Sequence, residues 1–110
     1  MFKQTNRLTS KFDINSTKRA GTKLNGRYFI CLYLRQPEHK KFTVIVSTRF
    51  DKKAAVRNKI KRQIRNAVST SIKSLPTGNY LFIPKKHIIA MKYEEISTDI
   101  NQVLSRYFKF

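Results

Sequence analysis

The stretch Arg57-Asn58-Lys59-Ile60-Lys61-Arg62-Gln63-Ile64-Arg65 places five cations and two isoleucines in nine residues. The isoleucines are four apart, so a helix puts them on one face. At about 100° per residue, Arg57, Lys61 and Arg65 fall within an arc of about 80°, which Asn58 and Arg62 widen to about 140°. Val56, Ile60, Ile64, Ala67 and Val68 cluster on the remaining side. The stretch therefore reads as a helix with one apolar stripe that docks and an adjacent cationic stripe that faces out. The Ala54-Ala55 pair begins it, it runs to about Ser74, and Pro76 and Gly78 stop it.

A solvated structural helix mixes acids with its bases, because opposite charges four apart help and like charges hurt. Here no acid occurs between Asp51 and Glu94. Charge left uncompensated in this way repels itself, so the helix implies a polyanionic partner. The whole chain agrees, with 24 Lys and Arg against 6 Asp and Glu, a formal net charge of +18 and a pI of about 10.6. Such a balance points to nucleic acid. A membrane surface is the poorer fit: no apolar run approaches the ~20 residues of a span, and the basic helix lacks an apolar aromatic anchor face.

With 110 residues the chain supports one domain, 1–110, built around one core. The start, Met1 to Arg7, is positive but has no hydrophobic region behind it, so it is not a secretory signal, and residues 1–6 read as a loose polar tail. Cys31 is the single cysteine, which excludes a disulfide framework and suits a reducing compartment. Two histidines, one cysteine and six acids give no zinc spacing.

On either side of the basic helix the pattern changes. Leu8, Phe12 and Ile14 suit one side of a short N-terminal helix ending before Gly21. A short strand is expected around Thr22–Leu24. Tyr28 to Leu34 is a near-continuous apolar run, expected as a strand buried on both faces or nearly so. Gln36 to Lys40 turns the chain into Phe42 to Ser47, a β-branched strand expected to pair with the previous one as a hairpin. After the helix, Pro76 to Asn79 turns into a strand over Tyr80–Ile83, closed by Pro84. Tyr93, Ile96, Ile100, Val103, Leu104, Tyr107 and Phe108 recur at helical spacing, with Glu94 and Glu95 at the start and Arg106 and Lys109 at the end, as the macrodipole favours. The order α-β-β-β-α-β-α predicts the α+β class, a small central sheet with helices packed on it.

The run Ala55-Val56-Arg57-Asn58-Lys59-Ile60-Lys61-Arg62-Gln63-Ile64-Arg65 resembles the "RNR" signature of the bacterial ribonuclease P protein component. Arg7-Leu8, Gly21-Thr22, Leu34-Arg35-Gln36-Pro37, Val46-Ser47 and Tyr93-Glu94-Glu95 resemble further landmarks of that family, in order along the chain. The resemblance implies a left-handed βαβ crossover through the signature helix, against the usual handedness, in a sandwich akin to the second domain of a small-subunit ribosomal protein. It also implies a protein subunit whose RNA partner carries the hydrolysis with Mg²⁺, removing the 5′ leader of precursor tRNA. Arg57, Asn58, Lys59, Lys61, Arg62 and Arg65 would bind the RNA subunit. Phe12, Ile14, Tyr28, Ile30, Leu32, Arg49, Lys52 and Lys53 would form a cleft for the leader. The chain would act as a monomer in a 1:1 cytoplasmic ribonucleoprotein, with no catalytic or metal-binding residue of its own and no small-molecule substrate. Lys59 stands where the signature has arginine, the loop from Thr48 to Lys53 is longer by one residue, and Ile14 and Lys18 occupy usual aromatic positions of the first helix.

Other readings share these residues. A non-enzymatic RNA-binding module, such as a ribosomal protein, has the same charge, size and class. A DNA-binding protein would lay the basic helix in the major groove, but nothing reads as a helix-turn-helix. The strand from Tyr28 to Leu34 must give one face to the core, so each residue of the cleft set is as well explained by packing as by RNA. Cys31 reads as a small buried hydrophobe, and His39 and His87 as surface residues.

Overall fold

The computed structural model describes residues 7–110, so the expected tail over 1–6 lies outside the described residues. Three helices and four strands follow in the order α1 (Lys11–Ala20), β1 (Thr22–Asn25), β2 (Phe29–Leu34), β3 (Lys40–Val44), α2 (Ala54–Ser69), β4 (Gly78–Pro84) and α3 (Tyr93–Phe108). Short 3-10 turns at Ile72–Ser74 and Lys86–Ala90 flank β4. The class is α+β with one mixed sheet, strand order β1-β2-β4-β3.

The expected hairpin between the second and third strands does not form. β4 lies between them, antiparallel to β2 and parallel to β3. The centre of a sheet goes to the strand that can be buried on both faces. β4 is buried at every position except half-buried Ile83. β3 opens with Lys40 and Lys41, keeps only Phe42 and Val44 fully buried, and takes an edge. A parallel pair needs a long crossover, and α2 supplies it.

β2 is likewise not buried on both faces. Phe29 and Cys31 are fully buried, whereas Ile30, Leu32, Tyr33 and Leu34 are half-buried. Side chains alternate across a strand, so Phe29, Cys31, Phe82, Tyr80, Phe42 and Val44 share one face. That face meets Ile60, Ile64, Ala67 and Val68 of α2 and Ile96, Ile100, Val103 and Leu104 of α3 in the main core. Phe42 stacks on Tyr80 at 4.7 Å between ring centroids. The opposite face carries Ile30, Leu32, Leu81 and Ile83, and α1 packs across it on β2 and β4. Leu81 and Thr17 are fully buried there.

Several ends differ from expectation for identifiable reasons. Leu8 is not in the first helix: it lies before the Ser10 N-cap, and its N–H donates to the Phe42 carbonyl at 2.8 Å. Arg7 pairs with Phe42 in an isolated parallel bridge, so this segment briefly extends the sheet beyond β3. α2 stops at Ser69, ahead of Pro76. Ser69 and Thr70 hydroxyls donate to the Asn66 and Ala67 carbonyls, and Ser71 donates to Asn101 of α3. Hydroxyl side chains that compete for backbone partners end a helix without proline. α3 ends on Lys109 in the left-handed conformation, φ 59°.

Candidate nucleic-acid interface

α2 owes its orientation to four fully buried residues, Ile60, Ile64, Ala67 and Val68. Burying such side chains contributes about 1.5–3 kcal/mol each for the larger ones. With that stripe docked, Asn58, Lys59 and Arg62 are exposed, and Arg57, Lys61 and Arg65 lie half-buried along the rim. Five of the six expected residues form one continuous surface, and Lys59 extends it around the back of the helix. No acid occupies the first turn, and no side chain caps the N-terminus at Lys53. The positive end of the helix dipole therefore adds to the side-chain charge.

Arg57 has a second task. Its Nη1 donates to the Asp51 and Lys52 carbonyls at 2.8 and 2.9 Å. A guanidinium has five N–H donors, so three stay available while two hold the loop that enters the helix. The same loop is tied by Asp51, whose Oδ1 accepts from the Lys53 N–H at 2.8 Å. Lys86 donates to the Phe50 carbonyl, with its Nζ 5.5 Å from the centre of the Phe50 ring. Lys86 is a supporting residue that sequence reasoning missed; its only signal was the Lys85-Lys86 pair after Pro84.

Arg65 records the local field. Partial burial, then the neighbouring charges of Arg7 and Arg62, push its guanidinium below its ordinary value. Arg7 is 58 positions from Arg65 in the chain, and only the fold brings them together.

The expected cleft is partly assembled. Ile30 and Leu32 are half-buried on the sheet face that carries α1, as their alternation with Cys31 requires, whereas half-buried Tyr28 lies in the bend before β2 and packs against the main core instead. Ile14 is half-buried on α1, but Phe12 is 76% exposed and points away from the sheet packing. Arg49, Lys52 and Lys53 are exposed in the loop before α2. That loop follows the Val44 end of β3, where Ile45 N–H bonds the Phe82 carbonyl, near the end of the sheet where Phe29 pairs with Pro84. Tyr28 packs edge-on against His87, ring centroids 5.5 Å apart.

His39 differs from the expected surface histidine. It is half-buried, and its Nε2 lies 2.6 Å from Oδ1 of the fully buried Asn79. Cys31 is fully buried, and burial pushes its thiol far above the ordinary range. Among the described residues, no three His, Cys, Asp or Glu side chains converge as metal ligands. Both Asp99 oxygens accept backbone N–H groups, from Arg27 at 3.0 Å and Tyr28 at 2.9 Å. Both oxygens of the buried Asp99 are thus already occupied by the chain's own backbone. No helix among the described residues is long and apolar enough to cross a membrane.

A family model described as Ribonuclease P matches residues 2–108. The chain belongs to the ribonuclease P protein family. The ribonuclease P protein component of Bacillus velezensis is 29% identical over 107 residues, covering 94% of this chain and 90% of its own. That of Carboxydothermus hydrogenoformans is 32% identical over 88 residues, covering 76% and 72%. The fold matches the ribonuclease P proteins of Staphylococcus aureus, with a TM-score of 0.84 at 22% identity over 94% of this chain and 96% of that one, and of Thermotoga maritima, 0.80 at 24% over 91% and 96%. Membership in the ribonuclease P family makes RNA the class of partner, and the bare cationic face of α2 is the surface with matching charge.

Proposed function

We propose that this chain is the protein subunit of a ribonuclease P ribonucleoprotein in the cytoplasm, binding the RNA subunit through α2 and the 5′ leader of precursor tRNA on the Tyr28-Ile30-Leu32 face. The observation that carries the reading is the continuous cationic surface over Arg57, Asn58, Lys61, Arg62 and Arg65, left bare by the buried stripe beneath it. Each phosphate it neutralises releases counterions, so affinity falls with salt by roughly 0.7–0.9 log units per log salt per phosphate. Arg62 and Arg65 offer planar, bidentate donors for phosphate. Asn58, exposed beside them, can bond a 2′-hydroxyl or a base edge. Lys59 adds a point charge.

Half-buried Ile30 and Leu32, with Tyr28 at the end of their strand beside His87, suit an extended strand lying across them, with Arg49, Lys52 and Lys53 meeting its backbone. Phe12, exposed at the start of α1, would meet the leader as it passes off the sheet. The hydrolysis, and the Mg²⁺ that serves it, belong in this reading to the RNA subunit. The protein contributes affinity for the precursor and relief of phosphate repulsion.

The test is removal of the 5′ leader from a precursor tRNA at low Mg²⁺ by a bacterial ribonuclease P RNA, with and without this protein. Strong stimulation, lost when Arg57, Arg62 and Arg65 are changed to glutamine, is expected. Absence of stimulation while RNA binding persists would replace the reading with a ribosomal-type binding module.

A further inference from the structure

The N-terminal segment, the outer edge of β3 and the rim of α2 meet in a concave niche lined by Arg7, Leu8, Thr43, Lys61 and Arg65. Three of these residues are cations, and Arg7 is far from Lys61 and Arg65 in the sequence. Among the described residues, none of their head groups finds a hydrogen-bond acceptor or an ion-pair partner. Beyond the effect of its partial burial, Arg65 has Arg7 close enough that the charge of Arg7 disfavours its own. Like charges converging without an anion between them cost energy, and the fold spends structure to keep them there. Leu8 N–H is bonded to Phe42 O at 2.8 Å, and Arg7 sits in register beside Phe42 on the sheet edge. Leu8 is 2% exposed. A buried leucine and a backbone bond thus fix the position from which the exposed Arg7 reaches the niche.

We infer that this niche is a phosphate-binding subsite: one phosphodiester of the bound RNA sits between Arg7, Lys61 and Arg65, so that the N-terminal segment belongs to the RNA interface. The inference rests on the reading of α2 as an RNA-binding face and adds to it a residue outside the helix and a specific site for one phosphate. Two guanidiniums can each present paired N–H donors to the non-bridging oxygens, and the Lys61 ammonium completes the charge. The parallel bridge at Phe42 is the device that orients Arg7. Neutralising one phosphate relieves the mutual repulsion of all three cations at once, so their contributions are interdependent.

The experiment measures the dissociation constant for a bacterial ribonuclease P RNA over a series of salt concentrations. The proteins are the wild type, Arg7→Gln, Arg7→Lys, Arg65→Gln, the Arg7→Gln/Arg65→Gln pair, and Lys73→Gln as a charge-matched control outside the niche. Arg7→Gln should lower the magnitude of the salt slope by roughly 0.7–0.9, Arg7→Lys should keep most of it, and Lys73→Gln should leave it unchanged. The double variant should lose much less affinity than the product of the two single losses, because both residues hold the same phosphate. A wild-type slope with Arg7→Gln unchanged overturns the subsite and leaves the α2 reading standing. Losses that multiply place Arg7 on a different phosphate and also overturn it. An equal effect from Lys73→Gln reduces the result to net charge and overturns it too. If the wild type itself fails to bind the RNA, the proposed function falls, and the subsite with it.

Discussion

Asp99 tests how the cleft is held in place. It is 7% exposed on α3, and its two carboxylate oxygens accept the N–H groups of Arg27 and Tyr28 at 3.0 and 2.9 Å. These bonds pin the turn between β1 and β2, and so the start of the strand that carries Ile30 and Leu32, to the last helix. Hydrogen bonds to a charged group contribute about 1.5–3 kcal/mol each, so Asp99→Ala should cost about 3–6 kcal/mol. Arg27 is exposed, and water can reach its freed N–H, which favours the lower end, about 3 kcal/mol. In a domain near 100 residues that corresponds to a fall in Tm of roughly 12–24 °C. Asp99→Asn keeps one accepting oxygen but turns an NH₂ group toward the second N–H, and should retain about half of the loss. Urea unfolding with an unchanged m-value gives both numbers. Asp99→Asn within about 0.5 kcal/mol of the wild type would refute the two-bond account. So would equal losses for Asn and Ala that vanish at high salt, since that pattern belongs to long-range attraction within a chain of net charge +18.

Two further outcomes follow from backbone and burial. Gly78 has φ 152°, and a Cβ there would meet Tyr33 Cε1 at 2.4 Å and the Leu34 carbonyl oxygen at 2.8 Å, so Gly78→Ala should destabilise by more than about 1 kcal/mol in a thermal melt. Burial raises the phenols of Tyr80 and, less strongly, Tyr33 above their ordinary value of 10.0. An acid whose folded value is raised keeps the unfolded chain easier to deprotonate. Stability should therefore be intact below pH 9.0, the ordinary value of the buried Cys31 thiol, and fall as pH rises past it, more steeply beyond 10.0 where the two tyrosines add to the loss. Absorbance at 295 nm should show Tyr80 ionising only with the alkaline unfolding transition, and early ionisation in the native protein would count against its burial.

The elements were largely legible and their arrangement was not. The apolar stripes of α2 and α3 mark themselves by period, and the structure docks Ile60, Ile64, Ile96 and Ile100 as that period requires. Strand pairing is not legible from chain order, because neighbours in sequence need not be neighbours in the sheet. What decides the centre is comparative burial: β4 outcompetes β3, whose Lys40 and Lys41 suit an edge. The end of α2 is poorly marked in the sequence, because proline and glycine are louder signals than Ser69-Thr70-Ser71, whose effect depends on partners that include Asn101 on another helix. At the candidate interface, the helical face could be drawn on a wheel. The arrival of Arg7 beside Arg65 could not, since a β-bridge across 35 positions produces it.

The position of β4 also constrains how the chain comes to be folded. As the ribosome delivers residues from the N-terminus, β2 and β3 emerge with no strand to join them, because their shared neighbour begins only at Gly78. α2 emerges before that strand as well, and before α3, against which its apolar stripe packs in the main core. A sheet closed by its last-made strand relies on contacts distant in sequence, which slows folding relative to hairpin-built domains. Gly78–Pro84 is therefore a latch, and a chain ending before it carries the signature helix without a platform to hold it.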